Sequence, residues 1–232
     1  MATQQATAHE DGGERAAVRI APVYWLGRGM FRCLFNYYFG WEVFNAERVP
    51  LTGAVILASN HESFVDPGAI GGALEREAYY LARESSFIPV LGTIMRKVNA
   101  IPVNQEGGAM AGLRAGLEVL EGGNALILFP EGARTEDGAM QPFRSGVGLI
   151  AGRSAAPVVP VRVFGLHEAY GRHMKFPRPA HKVIVKFGHP LRFDAELEEL
   201  RVGSKTKPKV IYQKISQAIE DAVTRLTPDA DS

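Results

Sequence analysis

Two five-residue runs without a polar side chain, residues 54–58 and 125–129, constrain the fold more than any other feature. Each is bounded by turn-forming residues and is too short for a buried helix, so each reads as a strand covered on both faces. Strands of that kind belong to parallel sheets with helices on either side. The intervening segments agree. Residues 109–120 carry Leu113, Leu117 and Leu120 at helical spacing and stop at Gly122-Gly123. Short apolar strands are expected at 42–44, 78–81, 100–103 and 157–164, and an alternating one at 181–187. Helices are expected near 93–97, over 146–154, and over 209–226, where Ile211, Ile215 and Ile219 form one face. Strands alternating with helices predict a layered α/β domain with a mixed, mostly parallel sheet flanked by helices. No repeat or linker interrupts residues 41–226.

Polar motifs follow both apolar runs. After the first comes Asn60-His61-Glu62-Ser63-Phe64-Val65-Asp66-Pro67; after the second, Phe129-Pro130-Glu131-Gly132-Ala133-Arg134-Thr135. Parallel α/β sheets gather ligands beyond the carboxyl ends of their strands. A base, a carboxylate to orient it and a cation would converge there. Asp66-Pro67 is a helix start, with Asp66 as N-cap and Pro67 in the first helical position. Chain turning into that helix can bring Asp66 beneath His61. Neutral imidazole removes a hydroxyl proton near pH 7, and a carboxylate on its second nitrogen fixes the tautomer. A substrate hydroxyl would be the nucleophile, and the absence of a Gly-x-Ser-x-Gly elbow is consistent with that. The string Gly146-x-Gly148-x-x-Ala151 does not follow a strand and is no dinucleotide loop.

Together the two motifs resemble those of the glycerolipid acyltransferase family, typified by 1-acyl-glycerol-3-phosphate acyltransferases. That family carries His-x4-Asp and, further on, Phe-Pro-Glu-Gly-Thr-Arg-Ser; here 70 residues separate His61 from Glu131. The resemblance covers roughly residues 40–190. It implies transfer of a fatty acyl group from a thioester, acyl-CoA or acyl-carrier protein, to a lysophospholipid hydroxyl in phospholipid synthesis. No metal or other cofactor is implied. His61 and Asp66 would be catalytic, and Glu131, Gly132, Arg134 and Arg144 would bind the acceptor. Arg83 stands where relatives often carry Lys before a Pro-x-x-Gly element, here Pro89 to Gly92. Val159-Pro160-Val161 matches a strand assigned to the acyl-donor side. Two positions depart from the pattern: Ala133 replaces Thr, and Asn104 ends a block that usually ends in Arg. Asn104 leaves the expected acceptor site one charge short, which keeps a non-phosphate lysolipid, such as an aminolipid, as an alternative acceptor. A catalytically silent lipid-binding protein is the alternative outside enzymes.

Residues 1–18 are polar and read as a disordered tail without a secretory signal. Residues 19–43 are rich in aromatics but hold Arg28 and Arg32. Each arginine would cost about 2.5–3.5 kcal/mol near the centre of a span. Four residues apart, they share one helix face, which suits a helix lying in the membrane interface. The competing reading packs that helix on the protein's own core. The acyltransferase domain then occupies residues 44–232, and the expected location is peripheral, on the cytoplasmic face of a membrane.

Net charge of +1 excludes a general polyanion binder, but residues 144–186 hold eight Lys and Arg against the single acid Glu168. That stretch suits a solvated face or an anionic lipid. It lacks the interleaved aromatics of a nucleic-acid module. Cys33 is the single cysteine, so no internal disulfide framework exists. His61-Glu62 does not open a zinc helix, because Val65 stands where the second ligand would be.

Overall fold

The structure, a computed structural model, describes residues 22–104, 108–202 and 206–229. The expected 1–18 tail lies outside them. The strands are β1 (Trp41–Phe44), β2 (Val55–Ser59), β3 (Ala78–Arg83), β4 (Ala100–Val103), β5 (Ala125–Leu128), β6 (Val158–Phe164) and β7 (Val183–Phe187). The helices are α1 (Pro22–Tyr38), α2 (Asp66–Ala73), α3 (Pro89–Lys97), α4 (Gly108–Glu121), α5 (Gly146–Ser154), α6 (Leu166–Tyr170), α7 (Asp194–Val202) and α8 (Pro208–Thr224). One seven-stranded sheet runs β1-β7-β6-β2-β5-β3-β4. All its pairings are parallel except β6 with β7. The mixed, mostly parallel sheet expected from the apolar runs is therefore present.

The all-apolar strands follow from their position in the middle layer. Side chains alternate across a strand. In β2, Val55 and Leu57 enter the core under α1, α2 and α6, whereas Ile56 and Ala58 enter the core under α4, α5 and α8. β5 divides in the same way, with Ala125 and Ile127 on one side and Leu126 and Leu128 on the other. Both faces are buried, so the strands are apolar up to Ser59 at the carboxyl end of β2, whose hydroxyl bonds the Asn60 side chain.

α1 ends earlier than the expected 19–43 helical stretch. Gly40 takes φ +56°, and β1 begins at Trp41 as an edge strand beside β7. Tyr24 and Phe35 lie on the inner face of α1 and are buried, as is Phe39 just after its end. Leu26, Met30, Leu34 and Tyr37 lie on the opposite face and are exposed. The core-packed reading of this helix therefore holds for its inner face. Gly27 sits between those faces, and a Cβ there would come within 2.9 Å of Val98, just past α3. The exposed stripe therefore borders α3, whose exposed Val90 and Ile94, with Ile88 just before it, extend the apolar surface. Among the described residues no helix is long and apolar enough to cross a membrane.

Candidate active site

β2 and β5 are parallel neighbours in register from Val55↔Ala125 to Ala58↔Leu128. Their carboxyl ends point the same way, and the two polar motifs leave the sheet side by side. A separation of 70 residues becomes a 2.7 Å hydrogen bond, from the His61 N–H to Glu131 Oε1.

The first motif forms a tight turn around one carboxylate oxygen. Asp66 Oδ2 lies 2.7 Å from His61 Nδ1 and accepts the N–H groups of Glu62 (2.7 Å) and Ser63 (2.8 Å). Asp66 is fully buried. It was expected to cap α2 as the residue before the helix, but it occupies the first turn itself, and Val65 holds the cap position without a side-chain bond. The carboxylate therefore serves the preceding turn instead of the helix. As an acceptor of two N–H groups, Oδ2 assigns the imidazole proton to Nδ1. That leaves the Nε2 lone pair of His61 available to the cavity this residue lines. The ring stacks on Phe129, with centroids 4.1 Å apart, which restrains its rotation.

The turn is anchored to the sheet by Asn60. Its side-chain amide donates to the Val163 carbonyl and accepts the Val163 N–H, both at 2.8 Å. Buried Glu62 accepts from Asn60 Nδ2 (3.2 Å) and from the His167 N–H (3.0 Å). Burial first, and the nearby Asp66 charge second, push the Glu62 carboxyl up to about 8.

Glu131 is buried, and both of its oxygens are engaged by backbone: Oε1 by His61, and Oε2 by the Gln141 N–H at 2.9 Å. Burial raises its pKa, and those two hydrogen bonds oppose the shift. The Thr135 N–H donates to the His61 carbonyl at 2.9 Å. The second motif thus grips the His61 backbone from both sides. Gly132 takes φ +79°, and a Cβ there would lie 2.8 Å from the Arg144 guanidinium carbon. The positive φ is what calls for glycine in this turn, because the exposed Arg144 side chain could move aside.

A cavity of about 530 Å³ opens beside His61. Its walls include Gly68, Gly71 and Gly72 of α2, Phe31 of α1, Tyr80 and Ile127 of the sheet, and Met95 of α3. β3 lines it from Arg83 down to Ala78, whose N–H donates to the Tyr24 hydroxyl at 3.1 Å. Over those five steps a strand rises about 17 Å. The cleft is thus deep and largely apolar, with Arg83, Arg134 and Arg172 also among its lining residues. Burial, followed by Arg172, lowers the pKa of Arg134.

Of the residues singled out from sequence, His61, Gly132, Arg134 and Arg83 line this cavity, with Asp66 behind His61. Glu131 sits behind the wall, and Arg144 and Asn104 are exposed and are not lining residues. Val159, Pro160 and Val161 are buried in the sheet and do not line the cavity either. Arg172 was not singled out. It belongs to the basic stretch, but only a tertiary contact, the antiparallel bridge between Ser63 and Gly171, brings it here.

Residues 40–164 match the family model described as Acyltransferase. A Bacillus subtilis protein named 1-acyl-sn-glycerol-3-phosphate acyltransferase is 26% identical over 189 residues, covering 81% of this chain and 90% of the relative. The human beta form of that name is 26% identical over 172 residues, covering 71% and 59%. A chloroplastic Brassica napus protein of the same name is 30% identical over 113 residues, covering 47% of this chain and 33% of the relative. Among solved structures, a 1-acyl-sn-glycerophosphate acyltransferase from Thermotoga maritima superposes with a TM-score of 0.64 at 24% identity, covering 89% of this chain and 79% of that one. That likeness bears on the fold.

Proposed function

Because this chain belongs to the acyltransferase family, we propose that it esterifies a lysophospholipid of the 1-acyl-sn-glycerol-3-phosphate kind, drawing the acyl group from acyl-CoA or acyl-carrier protein. The observation that carries this reading is the His61–Asp66 pair at the edge of a deep apolar cleft that arginines also line. His61 Nε2 takes the acceptor hydroxyl proton as the oxygen attacks the thioester carbonyl. Asp66 supports the imidazolium that forms. The tetrahedral adduct expels the thiolate, which recovers the proton from Nε2, leaving an ester and a free thiol. The acyl chain lies along β3 toward Tyr24. Arg134 and Arg83 receive the acceptor phosphate, for which a planar guanidinium is well shaped. No metal or redox cofactor takes part.

The reading extends to a peripheral position on the cytoplasmic face of a membrane, where soluble thioester donors meet lipid. Its support is the exposed apolar face of α1, continued by Ile88, Val90 and Ile94. The test is thiol release by the purified protein, with lysophosphatidic acid and an aminolipid lysolipid compared as acceptors. Transfer to lysophosphatidic acid that vanishes in His61→Ala, with folding retained, is expected. Preference for the aminolipid would transfer the assignment to that acceptor. A His61→Ala protein with the parent rate would remove the mechanism.

A further inference from the structure

The three arginines lining the cavity differ in one respect. Among the described residues neither Arg83 nor Arg134 forms an ion pair with a carboxylate, whereas Arg172 Nη1 lies 3.1 Å from Glu136 Oε1. That pair is exposed, at 54% for the Arg172 side chain and 82% for Glu136. Exposed pairs of this kind are weak and readily exchanged. Its backbone is nonetheless fixed at both ends. Gly171, next to Arg172, pairs with Ser63 in the catalytic turn, and Ser63 Oγ donates to the Tyr170 carbonyl at 2.6 Å. Thr135, next to Glu136, is buried and donates its N–H to the His61 carbonyl. Each partner is thus one residue from a direct attachment to the turn that carries the base. Arg172 also lies close enough to Arg134 to depress its pKa, so the two cations repel unless an anion joins them.

We propose that Arg172 is a specificity-determining ligand for the acceptor phosphate and that Glu136 is its counter-ion until that phosphate binds. The proposal rests on the phosphate-acceptor reading. When the lysophospholipid arrives, its phosphate displaces the Glu136 carboxylate and joins Arg172 to Arg134. Arg172 then supplies charge that Asn104 does not bring to the cavity. Glu136 lowers affinity only for an acceptor whose phosphate must displace it, and an uncharged acceptor leaves the pair in place.

The two partners should therefore act with opposite sign. KM for lysophosphatidic acid is measured in the parent, Arg172→Gln, Glu136→Gln and the double variant, together with its kcat/KM relative to uncharged 1-acylglycerol. Arg172→Gln should raise KM by about tenfold or more, as loss of a charged hydrogen bond does. Glu136→Gln should lower KM and raise the ratio, and the double variant should match Arg172→Gln. Both single variants at the parent KM would reduce the pair to a surface contact. A raised KM in Glu136→Gln would make it a structural unit and overturn the proposal. A parent that transfers to neither acceptor, or prefers the uncharged one, overturns the function reading beneath it.

Discussion

Glu131 offers a sharp test of how this site is built. Its carboxylate could face substrate or hold protein, and the geometry assigns it to protein: both oxygens accept backbone N–H groups, at 2.7 and 2.9 Å. Glu131→Gln preserves shape but supplies one acceptor and one donor where two acceptors are needed. One buried N–H then faces an NH₂ group. A hydrogen bond to a charged group contributes about 1.5–3 kcal/mol, and an orphaned buried donor costs a similar amount. Burial already disfavours the Glu131 charge, and relief of that penalty offsets part of the loss. The expected destabilisation is about 2 kcal/mol. It should be visible as a lower urea midpoint at constant slope. Because the lost contact holds the His61 backbone, kcat should fall while KM for the acceptor moves little. A variant with the parent midpoint and a strongly raised acceptor KM would show that the carboxylate faces substrate, and the argument from backbone engagement would fail.

Other expectations follow from buried contacts and surfaces. Glu62 has a folded-state pKa of about 8 against its ordinary 4.5, so the native state holds a proton that the unfolded chain releases. Stability should fall as pH rises from about 4.5 to 8, by up to about 1.4 kcal/mol per unit, and Glu62→Gln should flatten that slope in denaturation at pH 5.5 and 8; equal slopes would contradict it. In Gly148→Ala the new Cβ would be driven into the Tyr212 carbonyl and to 2.6 Å from Ser216 Oγ. The α5–α8 contact should loosen by about 1–3 kcal/mol, read as a lower Tm, and an unchanged Tm would mean that the helices part freely. Replacing Leu26, Met30 and Leu34 with Ser should weaken flotation with anionic vesicles without lowering Tm. Undiminished flotation would remove α1 as the contact.

How much of this could be read beforehand depended on whether the determinants were local. Strands β2 and β5 were visible because burial on both faces favours an unbroken apolar run, 54–58 and 125–129. α7 escaped notice because it buries no residue fully and only half-buries Leu197 and Leu200, a weak core-facing signal. α6 spans only five residues. The His61–Asp66 pairing was legible because a five-residue turn brings the two together. The work of Asp66 toward the turn was not, since Asp-Pro has the same local pattern in an ordinary capped helix. Glu131 and Arg172 depend on contacts across 70 and 108 residues, to His61 and Ser63 respectively. Asn104 shows the converse case. Its motif position suggested an acceptor contact, yet β4 is the far edge strand and this residue ends exposed beyond it.

The Asn60 amide has a consequence for motion. Backbone pairing of β2 with β6 continues to Ser59↔Val161, and the side chain of Asn60 then takes both hydrogen-bonding groups of Val163. A side chain thus completes a rung of the ladder while its own backbone departs into the turn that carries His61. The Val163 amide is buried in the sheet and cannot exchange with solvent unless that rung breaks. Loops usually open at little cost, independently of the elements they join. Here the first residue of the loop is fastened into the middle of the sheet, so the start of the turn opens with the sheet's interior, in one cooperative unit. His61, the next residue, is thereby tied to the sheet's interior through Asn60.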